Sequence, residues 1–142
     1  MSQSPDKVHT YVSPEGWYAL KYPDSWEVEL EEDCTFLSRK ENGVGALQLS
    51  AYQTPTPETS KGNLANYLAD EGKVNNVIYK SRLKTGEEIA STSFERENVF
   101  TKIWFVTKGN YVVFATYISD AQLKNNEISD VDSILNSLSL TE

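Results

Sequence analysis

The segment Trp26–Glu31 constrains the fold most, because its side chains alternate strictly between apolar and acidic types. The apolar set is Trp26, Val28 and Leu30, and the acidic set is Glu27, Glu29 and Glu31. Successive side chains of a β-strand point to opposite faces of a sheet. The segment is therefore predicted to be a strand with one core face and one acidic face.

Several other segments are rich in β-branched and aromatic residues and are bounded by turn residues, which predicts further strands. They are Trp17–Tyr22, Thr35–Arg39, Val44–Tyr52, Asn76–Arg82, Glu87–Phe94, Val99–Thr107 and Tyr111–Ile118. Pro23-Asp24-Ser25 are residue types that favour a turn, so the first of these strands is expected to form a hairpin with the strand that starts at Trp26. Lys108-Gly109-Asn110 predicts a long hairpin between the last two, whose apolar residues on both faces favour the sheet centre.

Two helices are predicted. The first begins at a cap on Thr59 or Ser60, after a proline-containing connection, and ends at Gly72. The second runs over Glu127–Leu138, with apolar residues at helical spacing and acids near its start, where the helix dipole favours negative charge.

The order of these elements predicts an α+β fold: an antiparallel β-sheet of about six to seven strands flanked by two main helices. The 142 residues are close to the common size of one domain. We expect residues 1–10 to be a flexible tail, because they lack periodicity, and residues 11–142 to be a single domain.

The charge balance narrows the classes of partner. The chain carries 13 Lys and Arg against 21 Asp and Glu, a formal charge of −8. Such a field repels nucleic acid and anionic membrane surfaces, and no stretch is long and apolar enough for a membrane span. Met1–Thr10 contains no apolar run typical of a secretory signal, so we expect a cytoplasmic protein, or an exported one if a leader has been removed.

No motif for catalysis, a cofactor or a metal occurs. His9 is the only histidine and lies in the predicted tail, and Cys34 has no histidine nearby in sequence to activate it, so Cys34 is interpreted as a partly buried strand residue. No glycine-rich nucleotide loop is present. One cysteine and one histidine cannot form a zinc cluster, and the acids Glu31, Glu32 and Asp33 favour at most weak binding of a hard cation.

The candidate partner-binding residues are the acidic ones of the strand and its end, together with one tryptophan. They are Glu27, Glu29, Glu31, Glu32, Asp33 and Trp17. Two interpretations stay open: the acids protect a strand from edge pairing and promote solubility, or they steer a basic protein surface towards this face. Trp26 and Trp104 are assigned to packing, whereas Trp17 is open to either role.

Both ends of the chain resemble the PsbP/Mog/DcrB-like superfamily. Ser13–Trp26, with its Tyr-Pro-x-x-Trp turn, is similar to the opening of that group, and Ile134–Leu140 is similar to its closing helix and Ile-x-x-Ser-Leu tail. Members include photosystem-associated extrinsic proteins, a binder of a nuclear-transport GTPase, and bacterial envelope or uncharacterised proteins. The resemblance implies an antiparallel sheet flanked by helices and a non-catalytic binding role, and it places this chain among the bacterial members.

The sequence thus predicts a non-enzymatic protein-interaction domain that contacts a basic partner through an acidic sheet face. Within binding proteins, the alternative is an immunity-type antitoxin that neutralises a basic toxin. From another class, the alternative is a small-ligand carrier or enzyme with a pocket of carboxylates and tyrosines between sheet and helix.

Overall fold

The computed structural model describes residues 7–72, 77–81 and 85–141. Within these ranges the strands are β1 (Val8–Val12), β2 (Tyr18–Pro23), β3 (Trp26–Glu31), β4 (Cys34–Arg39), β5 (Gly45–Gln53), β6 (Val77–Ser81), β7 (Glu88–Arg96), β8 (Val99–Lys108), β9 (Tyr111–Asp120) and β10 (Ser139–Leu140). The helices are α1 (Pro57–Gly72) and α2 (Ile128–Ser137), with a 3-10 helix at Ala121–Asn126. Residues 1–6 of the predicted tail, and Asn76 and Arg82 of a predicted strand, lie outside the described residues.

The larger sheet has seven antiparallel strands in the order β3-β4-β5-β9-β8-β7-β6. The predicted hairpin of β8 and β9 is confirmed: it turns at Gly109, whose φ is 59°, and runs in register from Lys108↔Tyr111 to Val99↔Asp120. These two strands lie inside the sheet, as their apolar residues on both faces indicate. The predicted antiparallel α+β class is confirmed.

A second sheet, which the sequence did not predict, has three strands in the order β1-β2-β10. The predicted hairpin between β2 and β3 is therefore wrong. Both edges of β2 are occupied by β1 and β10, and the chain passes at Pro23–Ser25 into the seven-stranded sheet. Residues 8–10 are also a correction to the predicted tail, because Val8↔Pro23 and Thr10↔Lys21 pair within this sheet.

One face of the seven-stranded sheet, the covered face, packs against α2 and the three-stranded sheet. The core between these layers contains the fully buried side chains of Leu20, Trp26, Leu37, Leu47, Leu49, Tyr117 and Ile134. The indole Nε1 of Trp26 donates to Asp130 of α2 at 3.1 Å. The packing roles predicted for Trp26 and Trp104 are confirmed, since both are buried. Leu30, which was expected in the core, is instead 53% exposed.

The opposite face, the open face, is covered only in part. Helix α1 packs on β6, β7, β8 and β9, with Leu64 buried against this face and Tyr67 stacked on Phe105 at 5.3 Å between ring centroids. The helix begins at Pro57, earlier than predicted, because Thr56 Oγ1 accepts from the amide of Thr59 at 3.2 Å. On β3 and β5, open-face side chains such as Gln48 are exposed.

Candidate functional site

Three glutamates form a row on the open face, and we call Glu27, Glu29 and Glu31 the acidic stripe. Strand β3 lies at one edge of the seven-stranded sheet and pairs with β4 alone among the described strands. All three side chains are exposed. Alternate residues of a strand are about 7 Å apart, so the stripe presents a linear series of negative charges along the sheet edge.

The charges of the stripe are not neutralised within the described part of the chain. None of its carboxylates forms an ion pair there, and neither do those of Glu32 and Asp33. Some other acids are paired: Asp132 lies 2.9 Å from Lys102 Nζ, and Asp24 lies 2.6 Å from His9 Nε2. The stripe is therefore available to an external cation.

The neighbouring strands place uncharged side chains beside the stripe. Glu29 is opposite Phe36 on β4, Phe36 is opposite Gln48 on β5, and Gln48 is opposite Thr116 on β9. Across this row, the open face is acidic at its edge and neutral towards its middle. A basic surface that docks here meets no repelling cation along the row.

The remaining three predicted residues meet at a groove around the end of β3. Glu32 and Asp33 form the turn between β3 and β4, with Glu32 at a φ of 52°, and Trp17 follows Gly16 in the connection between β1 and β2. The groove has a volume of about 390 Å³. Its lining residues include Pro14, Glu15, Trp17, Leu30, Glu32 and Asp33. We call it the acidic groove.

The acidic groove explains why Leu30 is exposed, because this side chain lines the groove instead of the core. Trp17 also lines the groove, and its ring lies 6.0 Å from that of Tyr111. The structure thus brings Trp17 together with Glu32 and Asp33, while the stripe lies on the other face of the same edge strand. All six predicted residues surround one edge, which is broader than the single sheet face predicted.

The groove wall is held by buried hydroxyl groups. Tyr18 donates to Thr35 Oγ1 at 2.9 Å, and Tyr11 is hydrogen-bonded to the same oxygen at 3.0 Å. Burial raises the pKa of Tyr18 to about 12. The wall is therefore neutral at ordinary pH, and the negative charge of the groove resides in its three carboxylates.

A second cavity, of about 200 Å³, lies between α2 and the covered face. Its walls are apolar at Ile89 and Trp104 and polar at Lys102 and Asp132, which pair with each other. It therefore contains one carboxylate, and that carboxylate is already bound. Over residues 7–72, 77–81 and 85–141, no group of three or more acid, histidine or cysteine side chains is placed to hold a metal ion.

Two side chains with simple sequence interpretations have different surroundings in the structure. His9 lies in β1 rather than in a tail, and its ring lowers the pKa of Asp24 by hydrogen bonding. Glu127, interpreted as a helix-start acid, is fully buried: it accepts from the Tyr117 hydroxyl at 2.7 Å and from the Val44 amide at 2.9 Å. No local sequence signal distinguishes Glu127 from an exposed acid. Cys34 is a partly buried strand residue, as predicted.

Comparison with known proteins bears on the family and the fold. A family described as a domain of unknown function (DUF3805) matches residues 6–142. No curated protein matches the sequence. None of the helices among the described residues is long and apolar enough to cross a bilayer.

Two solved structures share the fold at low sequence identity. A crystal structure from Bacteroides thetaiotaomicron VPI-5482 is 13% identical, with a TM-score of 0.64 over 99% of this chain, which spans 50% of that chain. The solution structure of cyanobacterial PsbP (CyanoP) from Synechocystis sp. PCC 6803 is 9% identical, with a TM-score of 0.63 over 97% of this chain and 95% of that chain. The PsbP-like fold expected from the resemblance is confirmed.

Proposed function

We propose that this chain, which belongs to the DUF3805 family, is a non-catalytic protein-interaction domain that binds a basic partner protein along the edge formed by β3. The acidic edge comprises the acidic stripe and the acidic groove. The observation that carries the proposal is the row of carboxylates on an exposed strand, continued by Glu32 and Asp33, none of which is paired within the described residues.

The charge and the groove contribute in different ways to such binding. A series of like charges on a chain of net charge −8 raises the rate at which a basic surface is captured. Trp17 and Leu30 add apolar area beside the acids, and such area supplies affinity that depends little on salt. An aliphatic Lys or Arg stem fits this combination, because its carbon atoms pack on apolar side chains while its cation meets a carboxylate.

The non-catalytic part of the proposal is supported by the chemistry of the sequence and by the family resemblance. His9 pairs with Asp24 on an exposed strand, and the sequence lacks the motifs of nucleotide and zinc enzymes. The resemblance to Mog- and DcrB-like proteins, in addition to the PsbP-like fold, favours a binding role. An immunity-type antitoxin is the narrower form of the proposal, since a basic toxin would use the same edge.

A second function is favoured by one feature of the acidic groove. Glu15, Glu32 and Asp33 lie there beside Tyr18, which is the mixture of carboxylates and a tyrosine expected of a small-ligand carrier. Such a ligand would be cationic and would need no partner protein. Capture experiments separate the two functions.

The test compares two charge reversals that change the net charge equally. The stripe variant carries Glu27→Lys, Glu29→Lys and Glu31→Lys. The control variant carries the same substitution at the exposed residues Glu41, Glu58 and Glu97. Each immobilised protein, checked for folding by circular dichroism, is exposed to a lysate of the source cell, and captured proteins are identified by mass spectrometry.

The proposal predicts a basic protein that the native chain and the control variant retain and the stripe variant loses. Its identity separates a toxin from another partner. If both variants retain it equally, this edge is not the binding surface. If none of the three captures a protein, the small-ligand function is favoured instead.

A further inference from the structure

We infer that the acidic edge binds its partner by strand addition: an extended segment of the partner, in which Lys or Arg alternates with apolar residues, pairs antiparallel with β3. This inference rests on the proposed function and specifies the binding mode and the chemistry of the partner. Strand addition to a sheet edge uses main-chain hydrogen bonds for affinity and alternate side chains for specificity.

The register of β3 with β4 shows which backbone groups face outward. The amide of Lys40 donates to the Ser25 carbonyl at 2.9 Å, one pair beyond Trp26↔Arg39. Antiparallel ladders alternate between hydrogen-bonded and non-bonded pairs, so the acidic stripe residues bond β4. The N–H and C=O groups of Val28 and Leu30 therefore point away from the sheet, and no described residue satisfies them.

The two faces of β3 specify the side chains of an added strand. Residues of that strand opposite the stripe lie on the open face, where Lys or Arg would meet an unneutralised carboxylate. Residues opposite Val28 and Leu30 lie on the other face, where apolar side chains would extend the surface that Leu30 and Trp17 offer in the acidic groove. Cationic and apolar residues must therefore alternate.

A second copy of this chain is a poor occupant of the same edge. Edge-to-edge pairing of two β3 strands would bring the glutamates of one stripe against those of the other, and like charges opposite each other destabilise a strand pair. The stripe thus prevents self-association and still accepts a strand of opposite charge. Protection from edge pairing and attraction of a basic partner, the two roles considered for these acids, are therefore compatible with the same position on the edge strand.

The probe is a seven-residue peptide, Lys-Val-Lys-Val-Lys-Val-Lys, with blocked ends, and its affinity is measured by calorimetry at low salt. A peptide of the same composition with its Lys and Val residues in separate blocks is the control for charge alone. In the inferred register, the Val amides of the probe point towards β3 and the Lys amides point away. N-methylation of the Val residues should therefore weaken binding by about tenfold, whereas N-methylation of the Lys residues should change it by less than about threefold.

The chain itself supplies a matched pair of variants. Leu30→Pro removes one outward amide and leaves the ladder to β4 intact, because proline is tolerated where the N–H faces away from the sheet. Leu30→Ala removes the side chain and keeps the amide. If the partner binds by strand addition, the affinity of the Leu30→Pro variant for the probe should be about tenfold lower than that of the Leu30→Ala variant. The methylated peptides give the same answer with the native protein if Leu30→Pro fails to fold.

The possible results distinguish this inference from the proposed function. Equal binding of both methylated peptides, or of the block peptide and the probe, would overturn strand addition. The acidic edge would still stand as a binding surface if the stripe variant had lost the probe. If the stripe variant binds the probe as tightly as the native chain does, the proposed function itself is wrong.

Discussion

The glutamates of this chain fall into two regions that use the same side chain in opposite ways. Glu87 and Glu127 are fully buried, whereas the three glutamates of the acidic stripe are exposed. In the buried region, every carboxylate oxygen has a donor: Tyr117 and the Val44 amide for Glu127, and the Leu140 amide and Thr85 for Glu87. The stripe has no such donors among the described residues.

The difference follows from the cost of burying charge. A carboxylate leaves water only where hydrogen bonds replace hydration, so buried acids join distant parts of the chain. Glu127 connects the start of α2 to Val44 before β5, and Glu87 connects the start of β7 to β10. An exposed, unpaired acid connects nothing within the chain, and its position is determined only by the strand that carries it.

The largest effect is expected from Glu127→Ala. This change leaves the Tyr117 hydroxyl and the Val44 amide without their partner in a buried site, and we expect a loss of about 3 kcal/mol in the free energy of unfolding. Urea denaturation measures it. The matched control is Glu29→Ala on the stripe. Because this residue is exposed, the free energy of unfolding should change by no more than about 0.5 kcal/mol. Similar losses in both variants would show that the buried and the exposed glutamates do not differ in their contribution to stability.

A smaller loss is expected from Gly45→Ala, which tests how tightly the Glu127 region is packed. A Cβ atom at this position would lie 2.4 Å from the Ile118 carbonyl oxygen and 2.8 Å from the Tyr117 hydroxyl. Crowding of this kind costs about 2 kcal/mol, and it should also displace the hydroxyl that donates to Glu127. Thermal unfolding followed by circular dichroism measures the change. Unaltered stability would show that the region adapts freely.

Asp24 is an intermediate case, an exposed acid with partners. Hydrogen bonding from His9 and then the charge of Lys40 hold its pKa below the ordinary 3.8. Because the folded pKa is depressed, Asp24 contributes stability above its unfolded pKa, and this contribution is lost as the pH falls through the folded value. His9→Ala should return the pKa of Asp24 towards 3.8, as measured by carboxyl NMR titration. An unchanged titration would show that the hydrogen bond between His9 and Asp24 does not lower the pKa of Asp24 in solution.

Neutralising the whole stripe is expected to have only a small effect on stability. Glu27→Gln, Glu29→Gln and Glu31→Gln remove three charges that have no partner in the described residues, so the free energy of unfolding should change by less than about 1 kcal/mol. The same variant should lose the salt dependence of binding to the Lys-Val probe. A large destabilisation would mean that the stripe serves the fold rather than a partner.

The sequence predicts most of the strands because their signals are local. Alternation identifies β3, and apolar residues on both faces identify β8 and β9 as inner strands. The pairing of β2 was not predictable in this way. Its partner β10 has only two residues, and the two strands come from opposite ends of the chain. The buried state of Glu127 is equally non-local, because it depends on Tyr117 and Val44 reaching the same point in space.

The candidate site also has one part that local sequence patterns predict and one part that depends on distant residues. The stripe is visible in the sequence, and its exposure is confirmed, but the acidic groove combines Trp17 with the turn after β3 and could not be located from local pattern. Leu30 looked like a core residue because alternation specifies a face of the strand and not what covers that face. Here the end of that face borders the groove.

The most direct test of the acidic edge as a binding surface is an NMR titration of the isotopically labelled chain with the Lys-Val probe at low salt. Binding at the acidic edge should place the largest amide shifts on Val28–Asp33 and on Trp17, and added salt should reduce these shifts. Shifts of equal size at Glu41, Glu58 and Glu97, exposed acids outside the acidic edge, would show only general attraction of a cation to an acidic chain and would contradict the claim.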